Sequence, residues 1–413
     1  VLGAAAGAGL VAGGGAAGFA VAGGRGGDAG GDAGTVPFYG AHQAGITTAQ
    51  QDRLAFAAFD ITTRDVRQLA ATLGQWSAAA ARMTAGQLVG PTMENPHAPP
   101  VDTGEALGLP PSRLTVTVGF GASLFDDRFG LAAKRPAALA PLPPLPGDVL
   151  DPRRSGGDLC VQACADDPQV AFHAVRNLAR IARGCCALRW TQLGFGRTSS
   201  TTSAEQTPRN LLGFKDGTNN IKAEDTAALA EHVWVGSETD QAWLRGGSYL
   251  VTRRIRMEIE SWDADYAADQ QNVIGRFKNS GAPLTGEHEF DPVNLNARDH
   301  AGSLVIPGNA HIRLASPVSN GGIRILRRGY SYTDGIDPAT SELDAGLFFI
   351  AFVRDAHRQF VPLQTRLGAN DALNEYIRHT GSALFACPPG LRQVGDWFAR
   401  ELFADVASVT DVS

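Results

Sequence analysis

Runs of basic residues are missing from this 413-residue chain. Lys and Arg total 36 against 42 Asp and Glu, for a net charge of −6. The basic residues gather at most in pairs such as Arg153-Arg154, Arg253-Arg254 and Arg327-Arg328. That distribution argues against a nucleic-acid partner, and each pair reads as a solvated strand face. Cysteine is scarce and odd in number, the five being Cys160, Cys164, Cys185, Cys186 and Cys387. Their spacings fit neither a zinc site nor a haem-attachment motif. One disulfide is compatible with an exported chain, but Cys160 and Cys164 share one face of a strand-like run and read as core. A convincing membrane-spanning run is lacking too. Val1 to Ala22 is almost all Ala, Gly, Val and Leu, with Leu2, Leu10, Val11 and Phe19 its main bulky side chains, so it is too glycine-rich to span a bilayer. It suits the apolar core of a secretion signal, with Ala20-Val21-Ala22 as a small-x-small cleavage site and Gly23 to Gly34 as a flexible linker. Residues 1–34 are therefore expected to be a signal remnant and linker, with no stable membrane insertion.

What the chain does have is core-forming material. Its hydrophobic content of 44% over this length supports two or three domains. Arg53 to Ile61 reads as a buried strand, and Thr63 is expected to cap a helix running to about Met83, with Leu69, Leu73 and Trp76 as its stripe. Arg113–Gly119 and Asp158–Cys164 alternate as strands do. Asp167-Pro168 opens a helix that stops at Gly184, and Cys186–Gly194 is a fourth strand. Strand, helix, strand, strand, helix, strand is a ferredoxin-like unit. The second half repeats the order more loosely. Gly247–Met257 is its first strand, Ser261 to Asp263 starts a short helix, Ile323–Arg327 and Gly346–Val353 are middle strands, and Asn370–His379 is a helix. No last strand is evident. The class is α+β: two ferredoxin-like units at 35–215 and 216–413, in a barrel-like arrangement within one chain. Asn272 to Gly308 is long and irregular, and loops of that kind are usually functional or disordered. This one leads straight into His311, which favours a pocket wall.

Two stretches carry chemistry. In the first, Pro307 to Pro317 holds His311 between proline-bounded turns, and Gly321-Gly322 then leads into Ile323 to Arg328. One soft nitrogen ligand and one fixed cation lie close in sequence. That pairing suits a haem iron meeting peroxide, since imidazole is a common axial ligand and an arginine can stabilise charge that develops as the O–O bond breaks. A packed core histidine fits the same residues. In the second stretch, Gly213-Phe214-Lys215-Asp216-Gly217-Thr218 is a glycine-bracketed turn able to hold a carboxylate against a flat ligand, or an ordinary Asp-Gly turn.

Taken together, the Asp-Gly loop, the histidine 95 residues on and the arginine 16 beyond it resemble the dye-decolourising peroxidases. The likeness runs from Pro37-Phe38-Tyr39-Gly40-Ala41-His42 to Thr380-Gly381-Ser382 and Cys387-Pro388-Pro389-Gly390, most of the chain. It points to the exported subgroup that also contains deferrochelatase-like proteins, and it implies the twin-arginine export route. The resemblance implies one haem b per chain, held mainly by the C-terminal unit, with His311 as the metal ligand and Asp371 as acceptor for its other ring nitrogen. Asp216 and Arg327 take the catalytic places, with Gly217, Thr218 and Phe349 also at the cofactor. It implies hydrogen peroxide and aromatic or dye-like reductants as substrates. Arg328 competes with Arg327, because successive strand residues face opposite ways. The family pattern favours Arg327, two residues before Gly329, where some relatives carry asparagine. The rivals to a secreted peroxidase are iron release from haem with the porphyrin intact, and haem binding or delivery without turnover.

Overall fold

Arg53–Ile61 forms strand β1, and its unbroken apolar run has a simple cause: both of its faces are covered. Leu54, Phe56 and Ala58 point into one buried cluster, while Ala55, Ala57 and Phe59 point into another beneath the helices. The computed structural model describes residues 34–93 and 95–404; apart from Gly34, the expected signal remnant and linker lie outside the described residues. Helix α1 (Val66–Thr84) lays Leu69, Leu73, Trp76 and Met83 on the outer cluster. Its cap is Asp65, two residues after the expected Thr63, and accepts from Arg67 N at 2.9 Å. Thr63 instead accepts from Asp65 N (3.1 Å) and donates to Gln68 Oε1 (2.6 Å), bracing the entry turn.

Strands β2 (Thr115–Gly121) and β3 (Leu159–Ala165) follow, then α2 (Pro168–Ile181) and β4 (Cys186–Arg197). Asp167 caps α2 as its sequence predicts, accepting from Gln169 N at 2.7 Å. Trp76 Nε1 donates to Leu178 O (2.8 Å), tying α1 to α2. His173, on α2, is buried with Nε2 2.9 Å from Asp102 Oδ1, and so fastens the proline-rich excursion to the helix.

Between β4 and β5 (Ser248–Met257) run the Asp216 loop and α3 (Thr226–His232). The connection after β5 carries α4 (Ile259–Ala264), α5 (Ala267–Ile274) and α6 (His311–Ala315). A two-residue strand, β6 (Leu326–Arg327), precedes β7 (Tyr330–Ile336) and β8 (Leu343–Val353), then α7 (Phe360–Asn370) and β9 (Ile377–Cys387).

Three expectations about the second half are corrected. The first middle strand is Tyr330–Ile336, with only Leu326 and Arg327 of the expected Ile323–Arg327 in strand pairing. The expected helix Asn370–His379 begins where α7 ends; Ala372–Glu375 is a single 3-10 turn. Ile377 to His379 belong to β9, the strand the sequence did not reveal. Its barrel-facing side starts with Gly381 and Ala383, and a register shift at Thr380 turns His379 to the other face beside α7, so its first half gives no apolar alternation to read.

The order β9-β2-β3-β1-β4-β7-β8-β5, with β5 also pairing β9, closes into an antiparallel ring. Each half has the ferredoxin-like order, β2-β3-β1-β4 and β7-β8-β5-β9. They join where Phe120 and Gly121 meet Ala386 and Phe385, and where Phe195 meets Ser331. Inside, Phe56, Cys160, Cys164, Tyr330, Phe348 and Phe385 fill the barrel. Gly119 permits that packing, since a Cβ there would stand 2.9 Å from both Cys160 Sγ and Phe385 Cβ.

Candidate active site

The site lies on the outer face of the C-terminal half of the ring. Arg327 pairs with Ala351, and paired strand residues share a face, so Phe349, two residues before Ala351, lies on Arg327's side. Phe349 is half-buried, its ring centroid 6.0 Å from that of Phe360. Leu326 pairs with Phe352, and both sit in the barrel interior. Arg328 follows the opposite side from Arg327: fully buried, it donates to Thr48 O and Gln51 Oε1. The strand geometry therefore separates the two arginines.

Arg327 Nη1 donates to Asp216 Oδ1. Asp216 is held by its own backbone, N to Pro208 O at 2.9 Å, and by a long contact of 3.3 Å from Asn210 Nδ2 to Oδ2. The next residue has to be glycine. Gly217 has φ +100°, and a Cβ would lie 2.8 Å from Ser199 Cα and 2.9 Å from Ser200 N. Asn220, given no role by sequence reasoning, acts as a surrogate strand neighbour. Its Oδ1 accepts from Arg327 N and its Nδ2 donates to Arg327 O, both at 2.8 Å. A short polar residue after Asp-Gly-Thr was the only signal for it.

The long segment from Asn272 to Gly308 reaches the same loop. Glu289 accepts from Thr218 Oγ1 at 3.0 Å and from Lys215 Nζ. Burial pushes its carboxyl up, but the hydrogen bonds from Lys215, Thr207 and Thr218 outweigh that and hold it below the usual range. Arg276 is buried and donates to Gly281 O (2.6 Å) and Glu289 O (3.0 Å). Burial lowers its guanidinium pKa; Glu289 offsets that, and the like charge of Arg327 adds to it.

His311 opens α6 after the turn Pro307-Gly308-Asn309-Ala310. Asn320 Nδ2 closes the far end of α6, donating to Leu314 O and Ser316 O at 2.8 Å each. Arg313 ties the entry down through Pro307 O (2.9 Å), Ile306 O and Leu295 O (2.6 Å each). His311 Nδ1 lies 2.6 Å from Asp371 Oδ2, and Asp371 Oδ1 accepts from Leu373 N at 2.9 Å. Nε2 has no hydrogen-bond partner among the described residues. Burial pushes the imidazole pKa down, but the charge and hydrogen bond of Asp371 hold it above its ordinary value, with Asp216 adding and Arg327 opposing. The side chain is nonetheless 35% exposed. The ring is thus partly open, and the charges of both Asp216 and Arg327 act on it.

One small core supports both sides. Leu212 and Phe214 of the Asp216 loop, Trp262 of α4, and Leu373 and Tyr376 beside Asp371 form a buried cluster against which Ile312 packs. Trp262 Nε1 donates to Leu212 O at 3.1 Å.

An imidazole with one ring nitrogen braced by a carboxylate and the other without a partner among the described residues suits a haem iron. With an acid–guanidinium pair across the same space, fold and site together define a haem peroxidase. Residues 43–196 match the Dyp-type peroxidase N-terminal domain and residues 207–392 the Dyp-type peroxidase C-terminal domain. The chain belongs to the Dyp-type peroxidase family, with haem as its cofactor and peroxide and a reductant as its substrates. It is 42% identical to ferric DtpA from Streptomyces lividans, covering 89% of this chain and 96% of that one, with a TM-score of 0.81. Against a DyP-type peroxidase from Cellulomonas bogoriensis the values are 38%, 90%, 98% and 0.80. It is also 38% identical over 372 residues to a deferrochelatase of Yersinia pseudotuberculosis, covering 89% of this chain and 84% of the relative.

Proposed function

We propose that His311 would hold the haem iron and that Asp216 and Arg327 would act on the peroxide brought to it. The pairing of Asp216 with Arg327, whose charges both act on the His311 ring, carries this reading. Bound haem supplies the redox centre at which peroxide is reduced and donors are oxidised one electron at a time. The chain's own part is proton handling and charge. Asp216 Oδ2, the less tightly held oxygen, takes a proton from hydrogen peroxide and returns it to the departing oxygen, which leaves as water. Arg327 stabilises the negative charge that develops as the O–O bond breaks. Asp371 fixes the imidazole tautomer and makes the ring more electron-donating. Gly217 and Thr218 shape and anchor the loop, and Phe349 supplies apolar surface beside Arg327.

Replacing Asp216→Asn or Arg327→Leu is expected to leave haem bound and slow the reaction with peroxide by about 100-fold or more. His311→Ala changes the resting absorption spectrum, because the axial nitrogen is gone. Rapid mixing with peroxide reads the first effect; unchanged rates in both distal variants overturn the roles assigned to them.

Aromatic or dye-like reductants are the donors proposed for this site, and export by the twin-arginine route is the proposed destination. Export rests on the small-residue apolar stretch at Val1–Ala22. A second reading is iron release from haem, favoured by the deferrochelatase relatives at 37–38% identity over 89% of the chain. Product analysis separates the two: free protoporphyrin supports iron release, and coupled donor oxidation with the haem intact supports the peroxidase.

A further inference from the structure

Away from the active site, Cys185 and Cys186 stand at the turn between α2 and β4. Cys186 Sγ donates to Cys185 Sγ at 3.6 Å. Their backbone is pinned on both sides. The N–H groups of Cys185 and Cys186 donate to Ala182 O at 2.9 and 2.8 Å, and Cys185 O accepts from Thr62 N (2.8 Å), Thr62 Oγ1 (3.1 Å) and Thr63 N (3.2 Å). The two sulfurs are therefore held in contact by the frame, with no segment free to carry one away from the other.

We propose that Cys185 and Cys186 form a peroxide-oxidisable dithiol that closes reversibly to a disulfide between neighbouring residues. The other three cysteines differ from this pair. Cys160, Cys164 and Cys387 are fully buried inside the barrel, whereas at the turn Cys186 keeps 8% exposure and Cys185, at 1%, meets solvent only through its contact with Cys186. Burial pushes the Cys160, Cys164 and Cys387 thiols up, away from the reactive thiolate. Within the pair, the hydrogen bond from Cys186 lowers the Cys185 thiol against the opposing effect of burial, with Thr72 helping. The oxidant is the family's own substrate. The Cys185 thiolate attacks hydrogen peroxide, the O–O bond breaks, and one oxygen leaves as water after taking a proton, giving a sulfenic acid. Cys186 then attacks that sulfur and displaces the hydroxyl as a second water, so two thiols are oxidised and one peroxide is reduced. Adjacent Cα atoms stand about 3.8 Å apart, shorter than the roughly 4.4–6.8 Å of ordinary disulfides. The ring is strained for that reason, and a strained disulfide is readily reduced again.

The test uses the haem-loaded full chain, first reduced with dithiothreitol and desalted, then given a few equivalents of hydrogen peroxide. Alkylation under denaturing conditions and peptide mass spectrometry follow. The peptide holding both cysteines should lose both alkylatable thiols together and the mass of two hydrogens, and dithiothreitol should restore them. Cys160, Cys164 and Cys387 should remain alkylatable. In Cys186→Ser, oxidation should stop at a sulfenic acid on Cys185 that dimedone traps. Both thiols staying free in the wild type, or the three barrel cysteines oxidising equally fast, would overturn the proposal.

Discussion

Asp371 divides its two oxygens between two tasks, one on the His311 ring and one on the backbone of the turn that follows α7. Asparagine keeps the size and loses the charge, so Asp371→Asn should raise the rate of haem loss about tenfold or more. Transfer of haem to excess apomyoglobin measures it; an unchanged rate would remove Asp371 from the ligand's support. Single residues were also where the sequence spoke most plainly. His311, Asp216 and Arg327 stood out because their residue types carry chemistry, and the resemblance supplied their roles and Asp371. Asn220, Glu289 and Arg276 did not stand out. Asn220 and Glu289 act by hydrogen bonds to groups far away in sequence, and Arg276 by bonds to carbonyls of an irregular loop, so no local pattern announces their partners. Arg327 could be told from Arg328 only by resemblance, whereas strand pairing separates them by face.

Short elements, in turn, depend on what is next to them. β6 is two residues long, too short to position a guanidinium by its own ladder, and Asn220 supplies the hydrogen bonds that a further strand would have given. Asn220→Ala leaves the Arg327 N–H and C=O without these partners, at a cost of about 1–3 kcal/mol. The variant should unfold at lower urea and react more slowly with peroxide while its haem absorption stays normal. Urea titration and rapid mixing on one preparation check both, and wild-type values in each would show that β6 holds Arg327 unaided. The first half of the chain was readable because β1, β3, α1 and α2 bury long apolar faces. In the second half, Ile323 and Ile325 drew attention to a segment that is mostly not strand, and β9 was hidden because its inner face opens with Gly381 and Ala383. Elements defined by close approach leave a weaker trace in hydropathy than those defined by bulk.

Over the whole molecule, buried titratable groups set the response to acid. His379 on β9 is buried, 3.1 Å from Gln364 Nε2, and its Nδ1 finds no partner. Burial, with the nearby charge of Arg253, pushes its pKa from 6.5 down to about 3. Between those values the unfolded chain binds a proton that the folded chain does not, so stability falls as pH drops through that window and is unaffected above it. His379→Asn should flatten the fall of the urea midpoint between neutral pH and mild acid. Identical slopes in wild type and variant would assign the acid response to other groups.

Because the sheet is a ring, neither half owns a complete one. Cut after Arg197, the first portion would bare the margins of β2 and β4, and the second those of β7 and β9, each a row of unsatisfied amides and carbonyls open to strangers. Made separately, the two pieces should precipitate; made together in one cell, they should find each other and recover a pigmented, soluble complex, which gel filtration would reveal.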